Sequence, residues 1–416
     1  MPTAAEKPLN VLVWGINYAP EAAGIAPYNV ALCEYLHAAG HRVHMLTSFA
    51  YYPEWKKLPA DEGRWFRTDD VRGVPVHRCW HYVPLKVSSL KRIVHEGTFV
   101  LFSFLRGLTL PRPDVIFVAS PPLLLGAAAW VFGKLRRAPY IFHVQDLQPD
   151  AAVGLGMLKP STFTRMLYRL EALAYEKAAR VSGISQGILR AFRDKGVPES
   201  KTILFPNGFR TPDLSGLPAP GRWRAKQGFA PDDFLAVYGG NLGVKQGLEI
   251  LIEAAALLKE KRVRLVICGN GAAQERIRAE IERRRPPNLT LLPMHYDEDF
   301  REMMVDTDLC LITQQTGTGQ YFFPSKLLSA LAFARPTLAV ADDNNELALV
   351  LKDGGFGVRT APDQPAELAA ELDRLARLDP AELQRMGEAG CTFGGQFAFE
   401  KVLPDFERVL REVAAR

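Results

Sequence analysis

The chain has 416 residues, 48% hydrophobic and 23% charged, with a formal net charge of +5. That length exceeds what one hydrophobic core serves and the composition excludes a disordered chain, so two domains of about 200 residues each are expected. The charge is unevenly divided: residues 1–204 hold 25 Lys and Arg against 16 Asp and Glu (+9), whereas residues 205–416 hold 26 against 30 (−4). A basic half points to nucleic acid, a membrane surface or a phosphorylated substrate, unless the split is chance in two surfaces.

Cys33, Cys79, Cys268, Cys310 and Cys391 are odd in number and form no C-x-x-C pair, which argues against disulfides and a zinc site. The opening MPTAAEKPLN lacks the basic start and apolar core of a signal peptide, so a cytoplasmic chain is expected. The longest uncharged run, Val115–Gly133, is split by Pro121 and Pro122, and neither piece reaches the roughly 20 residues of a membrane span.

Short Val- and Ile-rich runs alternate with amphipathic stretches, the signature of βα units on parallel sheets. The first strand is expected at 11–17, and the turn after it reads GINYAPEAAGIAPY. Gly24 lies near the start of the next helix, where it either lets a phosphate approach the backbone N–H groups or serves the turn alone. The turn lacks the G-x-G-x-x-G spacing of a dinucleotide fold. A helix over Asn29–Gly40 is expected, with Gly40 as its left-handed cap. Strands follow at 43–48, 115–120, 140–146 and 181–185. The fourth, YIFHVQD, brings His143 and Asp146 toward a carboxyl end, where ligands of open parallel sheets collect. A histidine inside an apolar strand can equally be a core residue.

Residues 205–222, dense in proline and glycine, read as a linker. Alternation then restarts with strands at 235–240, 264–271, 289–294, 309–313 and 337–342. The first turn here, YGGNLGVKQGLE, surrounds Asn241 and Lys245 with glycines just before a helix, which suits a diphosphate or is a glycine-rich turn with a solvated lysine. No Gly-Lys-Ser/Thr accompanies it, which excludes a P-loop. In FFPSKLLSALAFARP, Ser325 is expected to cap a helix and Lys326 to lie in its first turn. A cation is disfavoured there unless an anion binds beside it.

Taken together, the Pro20–Ile25 segment, the strand-borne His143, the Pro206–Gly208 PNG, the GGNLGVKQGLE turn and the PSKLL helix start resemble the retaining glycosyltransferases of the GT-B fold, family 4. GINYAPEAAGIAPYN, the YYPEW at 51–55 and HVQDLQPDAAVGLG are most similar to the colanic acid biosynthesis fucosyltransferases. The resemblance implies an α/β chain of two facing Rossmann-like domains with an interdomain cleft. It places an acceptor-binding domain at 1–204 and a linker at 205–222. A nucleotide-sugar-binding domain follows at 223–396, and a helix at 397–416 crosses back to the first domain.

The resemblance implies His143, Lys245 and Lys326 as catalytic residues. Donor contacts are implied for Gly24, Gly240, Asn241, Lys245, Gly271, Ser325, Lys326, Leu327 and Glu346, and acceptor contacts for Asp146 and Tyr28. No metal and no cofactor are implied, because the lysines and helix N-termini neutralise the leaving diphosphate of a GDP- or UDP-linked sugar. The family's two glutamates, with seven residues between them, would fall at Tyr321 and Ser329, neither of them acidic, and the arginine and lysine usual in the glycine-rich turn are replaced by Asn241 and Gln246.

The implied reaction is sugar transfer, with L-fucose from GDP-fucose as the first reading and a UDP-aminosugar as the second, onto a polyprenyl-diphosphate-linked saccharide in exopolysaccharide or capsule biosynthesis. A non-catalytic sugar-nucleotide-binding protein is the rival from another class. Nucleic acid is not an expected partner, since no recognised motif accompanies the charge. Ser88–Leu110 and Trp130–Arg137 join cations to Phe, Leu and Val, as expected of a face lying on an anionic membrane, or of core helices. A cytoplasmic location, peripheral to the inner membrane, follows from the first of these.

Overall fold

In a computed structural model of the protein, the apolar runs form two sheets, one in each of two compact units. The structure describes residues 7–415 except 87, 155–157, 160, 212–215, 318, 320–324 and 344. Unit 1 comprises the chain up to Asn207 together with Glu400–Arg416, and unit 2 comprises Gly208–Phe399.

The strands of unit 1 are β1 (Asn10–Trp14), β2 (Arg42–Ser48), β3 (Phe66–Val71), β4 (Val74–Cys79), β5 (Val115–Ser120), β6 (Tyr140–Val144), β7 (Arg180–Gly183) and β8 (Thr202–Leu204). They lie in the order β3-β4-β2-β1-β5-β6-β7-β8, all neighbouring pairs parallel except β3 with β4. The central strands are buried on both faces, which is why they read as unbroken apolar runs. Chain direction across the sheet reverses between β1 and β5, and the crevice outside their carboxyl ends is where such sheets bind ligands.

The hairpin of β3 and β4 was not read from the sequence. FRTDDV alternates between exposed and half-buried at the sheet edge and carries charges rather than an apolar run. Arg72 and Gly73, at φ 53° and 82°, turn the chain between the two strands, the positive-φ pair that suits a right-twisted hairpin.

Unit 2 contains β9 (Phe234–Gly239), β10 (Val263–Cys268), β11 (Leu289–Leu292), β12 (Leu309–Thr313), β13 (Thr337–Val340) and β14 (Gly357–Thr360), in the order β11-β10-β9-β12-β13-β14 and all parallel. Its switch point lies between β9 and β12. Leu265, Ile267, Leu309 and Leu311 of this sheet pack with Ile250 to Ile252 and Leu368, Leu372 and Leu375 of the helices to form its core.

Residues 205–222 are no free linker where they are described. Phe205 stacks on Phe406 of the C-terminal helix Phe399–Ala414 at 3.7 Å between ring centroids. In unit 2, Phe209 exchanges backbone hydrogen bonds with Phe397 and Phe399 at 3.1 and 2.9 Å. Proline and glycine here mark an irregular but packed path. The last helix is held within unit 1 by Glu407, whose carboxylate accepts from Tyr35 Oη at 2.8 Å and lies 3.0 Å from His41 Nε2.

Candidate functional site

In unit 2 the residues singled out from the sequence gather at the carboxyl ends of β9, β10, β12 and β13. Gly240 follows β9 with φ 134°, and a Cβ there would lie 2.8 Å from Lys326 Cε. The Lys326 side chain therefore lies across the bare backbone of Gly240, with Nζ 4.8 Å from the Tyr238 ring centroid. Burial first, and then the neighbouring ammonium of Lys245, lowers the Lys326 pKa to about 8. Two like charges held together in a partly buried place favour an anion between them.

The glycine-rich turn is locked into its neighbours. Leu242 N–H donates to the Asn270 carbonyl at 2.7 Å, and Tyr238 Oη donates to the Asn241 carbonyl at 2.7 Å. Gly271, at φ 151°, leaves no room for a side chain, because Asn241 Oδ1 and the Leu242 carbonyl would lie 2.5 and 2.6 Å from its Cβ. Its part is close packing of the turns after β9 and β10. The Lys245 carbonyl accepts from Gln315 N–H at 2.9 Å, which ties the same turn to the end of β12.

Lys326 is the second residue of the helix Ser325–Ala332. Ser325 is the first helical residue, one position later than the cap expected of it, and Leu327 is fully buried, so its apolar side chain belongs to the core. Pro324 and Tyr321 lie outside the described residues, whereas Ser329 sits within this helix. Glu346 opens the helix Glu346–Gly354, beyond β13. Asn345 caps it by accepting from Ala348 N–H at 2.8 Å and donates to Gln314 Oε1 at 2.9 Å.

In unit 1 the first turn is organised by a residue the sequence reading passed over. The Glu21 carboxylate is buried and accepts from Asn17 Nδ2 (2.9 Å), Tyr18 N (3.3 Å), Tyr51 N (2.9 Å) and Tyr52 N (2.9 Å). Burial pushes its pKa up and these four donors pull it back. Glu21 thus clamps the turn after β1 to the YYPEW turn after β2. An acid inside a run of Tyr, Pro and Ala was the available signal.

Gly24 has φ 66°, and a Cβ on it would lie 3.4 Å from the Tyr52 ring. The Tyr52 phenol is pushed up by burial and then by the charges of Glu21 and Asp146, so Gly24, Tyr52 and Asp146 form one neighbourhood at the carboxyl ends of β1, β2 and β6. Tyr28 lies half-buried in the first turn of the helix Ala26–Ala38.

His143 differs from the sequence reading. Its side chain lies in the sheet core, 2% exposed, with Nδ1 3.0 Å from Ser182 Oγ and Nε2 2.8 Å from Gln145 Nε2. Burial lowers its pKa to about 3. Both ring nitrogens are occupied, and in this arrangement neither is offered to a sugar. The parity of β6 turns this ring inward against Phe117 and Phe205, both 5.2 Å away between centroids.

Comparison with known proteins bears on the family and the fold. Residues 23–208 match the family described as glycosyl transferase 4-like domain, and residues 221–392 match glycosyl transferases group 1. The chain is 30% identical over 386 residues, 89% of its length and 93% of the relative, to the Escherichia coli (strain K12) protein WcaI, named for colanic acid biosynthesis glycosyl transfer. It is 25% identical over 317 residues, 71% of its length and 76% of the relative, to WbjE of Pseudomonas aeruginosa, named as a glycosyltransferase. Among solved structures, sucrose-phosphate synthase of Thermosynechococcus elongatus superposes with a TM-score of 0.75 at 18% identity, covering 98% of this chain and 99% of that one. HepE of Anabaena, in complex with UDP-glucose, does so with a TM-score of 0.71 at 16% identity, covering 97% and 100%. Two parallel-sheet units, matched one after the other by the two halves of one enzyme family, make this chain a member of the GT-B glycosyltransferases of family 4.

Proposed function

We propose that this glycosyltransferase works with retention and without a metal ion, moving a sugar from a nucleoside diphosphate to a lipid-linked saccharide in exopolysaccharide synthesis. The observation that carries the reading is Lys326, laid across the bare backbone of Gly240 with the ammonium of Lys245 close enough to lower its pKa. In the transition state positive charge grows on the anomeric carbon and negative charge on the departing diphosphate. Fixed cations aimed at that diphosphate stabilise the transition state more than the bound donor, because its charge is largest as the bond breaks. The diphosphate oxygen that leaves can accept the proton of the attacking hydroxyl, so no separate base is needed. Glu346 is the donor-sugar contact in this reading, and Asp146 and Tyr28 are the acceptor contacts.

The resemblance of GINYAPEAAGIAPYN, YYPEW and HVQDLQPDAAVGLG to the colanic acid biosynthesis fucosyltransferases makes GDP-fucose the first donor to try, and the UDP-glucose complex of HepE supports a UDP-sugar as the second. Thermal-shift measurements with GDP, UDP, dTDP and ADP decide between them: one nucleotide is expected to raise the melting temperature selectively. With the matching sugar nucleotide, Lys326→Ala and Lys245→Ala each raise the barrier by about 2.7–4 kcal/mol, the usual loss for one preorganised electrostatic contact. Wild-type rates in either variant contradict the assignment.

An exposed apolar face on unit 1 supports a lipid-linked acceptor. On the helix Ser89–Leu108, Leu90, Val94, Leu101, Leu105 and Leu108 form one exposed apolar stripe, with Leu90 72% exposed. The helix Leu124–Arg136 packs beside it and exposes Leu124, Val131 and Leu135. Lys86, Lys91, Lys134 and Arg137 are exposed around these residues. Among the described residues no helix is long and apolar enough to cross a membrane, so this face fits a bilayer surface. Flotation with phosphatidylglycerol liposomes is expected at low salt and is weakened at high salt. Absence of flotation at low salt contradicts a membrane-bound acceptor face.

A further inference from the structure

His143, Gln145 and Asn207 close a hydrogen-bonded set at the carboxyl end of β6, and all three side chains are buried. Register explains the first link: His143 of β6 stands opposite Ser182 of β7 in the parallel ladder, and their side chains meet at 3.0 Å. On the other side of the ring, Gln145 Nε2 approaches His143 Nε2 at 2.8 Å. A carboxamide nitrogen only donates, so Nε2 is the acceptor and the proton sits on Nδ1, donated to Ser182. Gln145 Nε2 also donates to Asn207 Oδ1 at 2.8 Å, and Asn207 Nδ2 returns a bond to Gln145 Oε1 at 2.7 Å. The donors and the acceptor of Gln145 are thereby all used.

Among the described residues no charge shifts the ring, and burial alone acts on it. Phe117 of β5 and Phe205 pack against it, and Phe406 of the C-terminal helix packs on both of them. Protonation would leave a buried cation without a counter-charge and set an N–H against the N–H of Gln145.

We infer that His143 is a positioning residue and not a proton carrier: a neutral Nδ1–H imidazole whose Nε2 lone pair orients the Gln145 carboxamide and, through it, Asn207 and the turn that carries Asp146. The inference rests on the proposed function only in giving Asp146 its acceptor role. Gln145 is the pivot. It joins the end of β6 to the last residue of unit 1 before the chain passes into unit 2.

The test is nitrogen NMR of the full chain labelled at histidine, with His143 assigned through His143→Gln. The Nδ1–H neutral pattern is expected unchanged from pH 5.5 to 8.5, and Asn207→Leu, which frees the Gln145 amide, is expected to move the His143 Nε2 resonance. A His143 that titrates within that range, that carries its proton on Nε2, or that ignores Asn207→Leu overturns the inference. These spectra need no substrate and stand even if the donor assignment fails. With the sugar nucleotide found by the nucleotide screen, His143→Gln keeps an acceptor for Gln145 but cannot shuttle a proton. Turnover within tenfold of wild type and a superimposable pH profile are expected, and a greater loss in a folded variant overturns the inference.

Discussion

Glu21 shows how one side chain can set a site without touching its chemistry. Four donors converge on its carboxylate, three of them backbone N–H groups from two separate turns. Removing an acceptor from buried donors costs more than the bond itself contributes, because the donors are left without water. Glu21→Gln places an NH₂ group against donors on one side and is expected to destabilise unit 1 by about 1–3 kcal/mol. A urea titration measures this, and an unchanged midpoint would show that the clamp is dispensable. The burial that raises the carboxyl pKa has a sign consequence. The folded protein holds this proton more tightly than the unfolded chain, so the contribution is full below the unfolded pKa and declines as pH rises through the folded one.

At the scale of elements, the turn after β9 and the start of the helix Ser325–Ala332 act as one device. Gly240 supplies the positive φ and the open backbone over which Lys326 lies. Gly240→Ala strains that backbone and pushes Lys326 aside, so weaker nucleoside diphosphate binding is expected. The lowered Lys326 pKa adds a pH signature. An anion binds the protonated amine, so affinity is expected to be constant below about 8 and to fall above it, by at most tenfold per pH unit. Calorimetry at pH 7, 8 and 9 with the stabilising nucleotide reads this directly, and a flat profile in the wild type argues that Lys326 stays clear of the phosphates.

These elements also show what the sequence makes legible. Strands buried on both faces, such as β5 with VIFVAS, announce themselves by an unbroken apolar run, and the glycine-rich turn by its composition. Edge strands are legible only when apolar: β11 reads as LTLL, whereas β3 carries Asp69 and Asp70, and β14 is only the four residues GVRT. Contacts made across the fold leave still less trace. Nothing local to Gln145 reveals Asn207, and a histidine in an apolar strand reads the same whether its ring meets solvent or Phe117.

Across the whole molecule the histidines divide as unevenly as the charge, since His295 is the sole histidine of unit 2. In unit 1, burial lowers His77 and His95 to about 4 and His143 to about 3, and holds His81 well below the ordinary value. Each stays neutral in the fold while the unfolded chain takes up a proton near pH 6.5. Stability from these groups is therefore full above the unfolded pKa and is lost as pH falls toward the folded one. At pH 5.5 His77, His95 and His143 each give up on the order of 1 kcal/mol, and His81 adds in the same direction. Together that is a large part of the stability of many domains. The tryptophans make the loss visible, because Trp223 is the sole one in unit 2 and the remainder report on unit 1. In a Trp223→Phe background, the fluorescence-detected urea midpoint is expected to drop markedly between pH 7.5 and 5.5. Equal midpoints would mean that the buried imidazoles protonate without opening the sheet. Unit 1, with its buried neutral imidazoles, is thus expected to weaken first as pH falls, a sensitivity that the acidic, histidine-poor unit 2 does not share.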